Sequence, residues 1–420
     1  MSVTGHIAHA RTFDSLRRHR NYRLYFGGQL VSVSGTWMQN VAQAWLVLQL
    51  TGSPQAVGIL AICQFGPFAL FGLAGGVLSD RLDRRRTLLV TQSLSMVFAA
   101  ALAALTLSHH VSVLTVEIIA VLNGFVLVFD TPARQAFTVD MVGRQELPNA
   151  IALNSSIFNA SRIVGPAIAG VVIGSAGVGV CFALNAGSYV AVIASLLLMR
   201  THELHHFDRG TATLRVFHGI GEGLAYAART PVIRTILVTM LFVGTISINF
   251  NVLMPVLTER TLHQGATVLG LLSACFGAGA LAGALLSASL GRADTRVLIA
   301  SGLGLGLSEL AVAPLHSVAL TALLLTATGV SFSLFTSNCN STLQLIVPDR
   351  LRGRVLSLYG YVFFGTAPVG GYLAGWLSER GGTVLAFGVA GAVAALSTAA
   401  AGLWFAGRTP ALKRLPVTVA

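Results

Sequence analysis

Charge is scarce in this sequence: Asp, Glu, Lys and Arg make up 10% of its 420 residues, while 54% are hydrophobic. An ordinary soluble domain carries roughly 25% charged residues, so most of this chain cannot face water. Cysteine is scarce too. Cys63, Cys181, Cys275 and Cys339 stand alone in apolar stretches, without the paired spacing of a metal site or a disulfide framework. They read as buried thiols, and no metal is expected. No phosphate-cradling Walker loop occurs, so ATP is unsupported as a driving force. No clear small-residue cleavage site accompanies the first apolar segment, which is too long for a signal-peptide core, so that helix is expected to be retained. The basic surplus, +12 formally, does not gather into one face as a nucleic-acid surface would. It lies in short clusters between apolar runs, which points to a bilayer as partner and away from nucleic acid.

Apolar runs of roughly 20 residues predict helices near 24–50, 55–78, 87–107, 112–137, 149–174 and 177–199. A second set falls near 232–258, 265–290, 296–314, 317–345, 354–377 and 383–407. The expected fold is an all-α membrane protein with twelve transmembrane helices. Its expected divisions are an N-terminal segment 1–23, a six-helix half 24–199, a connector 200–231, a second half 232–407 and a tail 408–420. In the connector, Leu214, Phe217, Ile220 and Leu224 recur at helical spacing, predicting an amphipathic interfacial helix. If the first helix starts inside, the external breaks hold only Arg260 and Arg380, and the remaining basic residues outside the helices are internal. The positive-inside rule then puts both termini in the cytoplasm of a multi-pass protein of the cell membrane.

The halves resemble each other. A shift of 208 aligns Ala74, Gly75, Leu78 and Arg84 with Ala282, Gly283, Leu286 and Arg292; a shift of 205 aligns Gly124, Thr131, Gly165 and Gly170 with Gly329, Thr336, Gly370 and Gly375. The two offsets agree closely and approach half the length, so a duplicated six-helix unit is the economical reading.

Between the second and third runs, Gly76, Leu78, Asp80, Arg81, Arg84, Arg85 and Leu88 follow the order of the loop signature G-x-L-a-D-r-x-G-r-R/K-x-x-l. The chain thereby resembles the major facilitator superfamily, with Asp83 standing where the pattern has glycine. On the fifth run Gly165, Pro166 and Gly170 match an exporter-associated signature, with Ala152, Ser161 and Ala169 in place of its other glycines. Asn21 to Gln29, Gly35 to Gln39, Asp130 to Gln135 and Asn149 to Ser155 look like the enterobactin-exporter-like, transmembrane secretion effector branch.

This resemblance implies two pseudo-symmetric six-helix halves and secondary transport by alternating access. It implies that Gly76, Asp80, Arg81, Arg84 and Arg85 form a conformational latch. In it Asp80 faces the positive N-terminus of a helix in the other half, and the basic residues engage a helix-four carboxylate. For Arg85, setting topology is a sufficient role. The activity implied is export of a small amphipathic molecule, a drug or siderophore, by a monomer driven by a proton gradient and needing no cofactor. The same-fold alternative is a proton-coupled uptake symporter.

An ionisable group in hydrocarbon costs at least about 2.5 kcal/mol and needs a partner or a purpose. Asp130 and Arg134 lie four apart with the acid N-terminal, the favourable order for an intrahelical pair. Equally, Asp130 could exchange Arg134 for Arg84 or Arg162 and relay protons. Arg162 falls near mid-membrane, either as a counter-ion or as a cavity cation for anionic substrates. Glu117 and Glu309 fall near external helix ends, where they are expected to reach water, and are secondary proton-site candidates.

The first helix carries Gln29, Ser32, Thr36, Gln39 or Asn40, and Gln43 at helical spacing; the seventh carries Thr245 and Asn249, and the tenth Thr336 and Asn340. Such stripes glue helices together. Because helices one, four, seven and ten line the central cavity in the family, these residues are also the expected cavity lining. Finally, His202, Glu203 and His206 match the H-E-x-x-H pattern of zinc proteases, whose histidines must share one helix face. The pattern abuts a polar connector and has no evident third ligand, so a membrane metalloprotease is the alternative of another class.

Overall fold

The computed structural model describes residues 14–79, 81–205, 215–290 and 293–407, and among them the regular structure is helical. In hydrocarbon every backbone N–H and C=O must be satisfied within the chain, which leaves helices as the economical solution for these runs. The first half comprises α1 (Asp14–Arg18), α2 (Arg20–Thr51), α3 (Pro54–Ser79), α4 (Arg84–Leu107), α5 (Val113–Ala176) and α6 (Val178–Leu197). After α7 (Arg215–Arg229) come α8 (Pro231–Phe242) and α9 (Phe250–Val256), then α10 (Ala266–Leu290), α11 (Thr295–Val312), α12 (Val318–Ile346), α13 (Asp349–Gly365) and α14 (Ala367–Ala406).

Two of these are hairpins. α5 reverses at Gly143, where φ 71° and ψ 175° take a left-handed, extended conformation that suits a residue without Cβ. α14 turns in the same way at Gly381–Gly382, where Gly382 has φ 65°. Each therefore contributes two membrane crossings. Residues 231–261 form one crossing, interrupted at Val243–Asn249, and α13 continues into the first arm of α14 as another. With α2 the described residues make twelve crossings, six in each half. At about 1.5 Å per residue, the 32-residue α2 outreaches the roughly 30 Å hydrocarbon core.

Large apolar side chains, among them Leu70, Val171, Leu345, Leu396 and Leu403, are exposed on the outside of the bundle, as lipid contact requires. The loop that departs from the superfamily pattern has a local reason for doing so. The Asp83 carboxylate accepts the Arg86 N–H at 2.9 Å and caps α4, a position where aspartate is among the best residues.

The repeat is visible as matched contacts. A Cβ on Gly75 of α3 would strike Val128 of α5, and one on Gly283 of α10 would strike Val330 and Ser333 of α12. Gly165 of α5 lies against Ser34, Trp37 and Met38 of α2, while Gly370 of α14 lies against Thr245 and Asn249. Small residues thus mark the same helix crossings in each half, where backbones approach too closely for a side chain.

Candidate functional site

The halves meet along two symmetry-related seams. On one, Gly170 of α5 packs on Gly270 of α10, and a Cβ on Gly170 would come within 2.7 Å of the Gly270 Cα. On the other, Gly375 of α14 packs on Pro54 and Gly58 of α3, with 3.0 Å between such a Cβ and the Gly58 Cα. Both seams lie toward the end opposite the chain termini. Polar bonds across the halves reinforce that end. Ser53 Oγ and the Gln55 N–H donate to the Glu379 carboxylate at 2.8 and 3.3 Å. Gln55 also donates to the Tyr372 hydroxyl at 3.3 Å, and Arg260 donates to the Gly52 carbonyl. This end of the bundle is sealed.

Below the seal, Asn40 of α2, Gln64 of α3 and Asn251 of α9 border a cavity between the halves with apolar neighbours Phe65 and Val252. Gln64 donates to Gln43 at 3.0 Å. Deeper, the partly buried Arg162 guanidinium of α5 stacks on three rings: Trp37 of α2 at 5.8 Å, Phe276 of α10 at 4.9 Å and Phe332 of α12 at 4.6 Å. Phe276 and Phe332 belong to the opposite half. Among the described residues no carboxylate pairs with Arg162, and it is the three π-faces that meet its charge.

The polar stripe of the first helix is mostly turned elsewhere. Ser32 meets Gln92 of α4 at 3.5 Å, Thr36 the Tyr189 hydroxyl of α6 at 3.3 Å, and Gln39 accepts from Asn185 of α6 at 2.7 Å. Gln29 accepts from Arg134. These four residues join helices within one half, because α2 packs its buried face on α5 and α6; Gln43, bonded to Gln64 beside the cavity, is the exception. Asn249 donates to the Thr245 carbonyl at 2.8 Å, and Thr336 bonds back to its own helix. Asn340 accepts from Gln344.

Asp130 is almost fully buried and accepts from Thr91 at 2.8 Å, Gln92 at 2.7 Å, and Arg134 at 2.5 and 3.1 Å. The structure does not bring Arg84 or Arg162 to it. Arg84 instead pairs with Asp140 at 2.5 Å, and Arg85 donates to the Leu196 carbonyl at 2.9 Å. Asp140, on the fourth crossing, went unmarked in the sequence because only the fold brings it beside the basic loop. Glu379 of the seal was missed for the same reason. Gly76 is open on its Cβ side, Arg81 is exposed, and Asp80 lies outside the described residues.

Glu309 departs from its expected place. It does not reach water: its exposure is 0%, and both carboxyl oxygens lie 2.8 Å from Ser247 Oγ. Neighbouring helices close over the outer part of α11, which hydropathy could not foresee. Glu117 remains partly buried on α5. Of the zinc-protease pattern, His202 and Glu203 sit on a single tight turn, Thr201–Glu203, that ends at an extended Leu204. Glu203 pairs with Arg200 at 3.0 Å, and His206 lies outside the described residues. The helix face that this chemistry needs is not formed over Thr201–Leu204.

Two repeated six-helix halves, sealed at one end and enclosing polar and cationic groups where they meet, define a membrane transporter of the major facilitator superfamily. A family model described as transmembrane secretion effector matches residues 11–415. The multidrug efflux pump Tap of Mycolicibacterium fortuitum is 30% identical over 84% of this chain and 88% of its own. The staphyloferrin A transporter of Staphylococcus aureus is 27% identical over 88% and 92%. The crystal structure of a POT family transporter in complex with a thioalcohol-conjugated peptide superposes with a TM-score of 0.72, covering 93% of this chain and 96% of that one. Its sequence identity is 11%, so that likeness concerns the fold alone. The chain belongs to the transmembrane secretion effector family and is a multi-pass protein of the cell membrane.

Proposed function

We propose that this transporter exports a small amphipathic molecule with an anionic or aromatic group, exchanging it for protons by alternating access as a monomer. The observation that carries the substrate class is Arg162, a cation without an acidic partner among the described residues, held between rings contributed by both halves. An anion arriving there gains a charge-assisted partner that the protein itself does not supply. Aromatic faces and the Asn40, Gln64 and Asn251 amides suit the rest of an amphipathic molecule. Export draws its support from the relatives, an efflux pump among them, and from the match of Gly165, Pro166 and Gly170 to the exporter signature. The distribution of arginines supports cytoplasmic termini, and with them an external position for the sealed end.

The test is accumulation of a panel of anionic, neutral and cationic amphipathic dyes in cells with and without the protein. Expressing cells should retain less of an anionic dye, and a protonophore should erase the difference. Arg162→Gln should weaken export of that dye by about 10-fold or more, the equivalent of about 1.4 kcal/mol in lost recognition, while Arg162→Lys retains part of it. Higher dye accumulation on expression would mean uptake. Selective export of cations would remove Arg162 from substrate recognition.

A further inference from the structure

The seventh crossing is broken where it meets Glu309. After α8, Val243–Ser247 is wound wider, with the Ile248 N–H donating to the Val243 carbonyl at 3.2 Å, five residues back. Ile248 and Asn249 then leave helical geometry, at ψ 42° and 40°, before α9 begins. Wide turns of this kind often occur at functional positions. Ser247, the last residue before the break, places its Oγ 2.8 Å from each Glu309 oxygen. One hydroxyl hydrogen fills only one of these two short contacts. A neutral carboxyl has a hydrogen of its own to fill the other.

No cation balances this carboxyl among the described residues. α11 itself carries only Arg296 besides Glu309, about four turns away, and the following loop carries the exposed His316. α12 offers only Cys339, toward its opposite end, and residues 383–406 of α14 contain no titratable side chain. On the first arm of α14, Tyr372 and Glu379 are engaged with Gln55 and Ser53, and Arg380 stacks on Trp376. In the seventh crossing Arg234, Glu259 and Arg260 stand near its two ends. Asp130, by contrast, has four donor contacts, two of them from its paired Arg134.

Beyond the break, α9 packs against α2 and α3 of the other half, and its Asn251 and Val252 border the cavity beneath the seal. We propose that Glu309 is the proton-carrying group of this transporter and that Ser247 passes its state to the break in the seventh crossing, which in turn sets α9 and the seal. Uptake of one proton by the Glu309 carboxylate gives the neutral carboxyl, which donates to Ser247 and holds the end opposite the termini closed. Loss of that proton leaves an anion accepting from Ser247 alone, buried without a counter-charge, and favours opening toward water. This rests on the proton-driven reading above only for its role in export; the proton site and its link to the seal can be tested separately.

The purified full chain in lipid nanodiscs is treated with dicyclohexylcarbodiimide, which modifies protonated carboxyls in apolar surroundings, and the labelled peptide is identified by mass spectrometry. Wild type should be labelled at Glu309 under acid conditions and lose the label as pH rises; Glu309→Gln should lack it. In a Gln55→Cys, Tyr372→Cys background, disulfide yield across the seal should fall as pH rises and become independent of pH when Glu309→Gln is added. An unlabelled Glu309, labelling that does not change with pH, or a pH-dependent seal in the Glu309→Gln protein would overturn the proposal. The wild-type labelling arm needs no variant to fold. Should Glu309 label and control the seal while a protonophore leaves dye export untouched, the switch stands and the proton-driven export reading fails.

Discussion

Asp130→Asn is expected to lower stability by about 3–5 kcal/mol, the usual cost of breaking a buried ion pair from one side. The carboxylate collects hydrogen bonds from Thr91, Gln92 and Arg134 in an almost fully buried position. The asparagine amide keeps an acceptor oxygen but no charge, so Arg134 is left with neutral oxygens, that of the amide and that of Gln29, in place of an anion. Arg134→Gln should be milder, since Thr91 and Gln92 still donate to the anion. Removing both charges leaves no solitary ion in the membrane, so the double variant should recover most of the monodisperse yield and thermal midpoint. A coupling energy of about 3 kcal/mol, at the top of the usual range for residues in contact, is expected from the cycle. Because Glu309 is assigned the proton, the double variant should also retain export driven by a pH gradient. A well-folded double variant that exports only down its substrate gradient would place the coupling proton on Asp130.

Gly170→Val is expected to abolish most transport without preventing insertion. Its Cβ would fall 2.7 Å from the Gly270 Cα and 3.1 Å from the Ala266 carbonyl oxygen, backbone atoms that cannot swing aside as a flexible side chain can. Overpacking of this kind costs about 1–3 kcal/mol. The cost falls on the sealed state alone, since the two helices must part when that end opens. A differential of that size shifts the balance of states by about 5- to 150-fold. Disulfide yield between Gln55→Cys and Tyr372→Cys should drop accordingly, and dye export with it. Gly375→Val, on the symmetry-related seam, should act in the same direction. Wild-type export with an undiminished disulfide yield in either variant would mean that these seams do not set the conformational equilibrium.

The matched glycines show how much of the fold could be read directly. Gly75 with Gly283 and Gly165 with Gly370 align by nearly equal offsets, and each pair occupies corresponding helix crossings. A duplicated unit repeats its tightest contacts, and only glycine or another small residue fits there. Gly165, Pro166 and Gly170 were likewise legible as a small-residue helix, though not that Gly165 packs within its own half while Gly170 crosses to the other. The stripe from Gln29 to Gln39 was legible as polar and helical, but one helix's periodicity does not tell which neighbour its polar face meets. It met α4, α5 and α6, while further along the same stripe Asn40 lines the cavity and Gln43 bonds to Gln64 beside it.

The sequence by itself determined the membrane, the twelve crossings and the repeat, because apolar length and helical period act locally and each crossing must satisfy its own backbone. It also marked Asp130 and Arg134 as a pair, since four residues along a helix bring side chains together whatever surrounds them. Only the tertiary structure decided which ions are paired across helices and which stand alone. Arg84 found Asp140 some fifty residues on, Arg162 found aromatic rings from the opposite half, and Glu309 found a single serine at the broken turn of another helix. Burial and charge compensation are properties of the whole packing, summed over helices far apart in the chain, and no local pattern carries them.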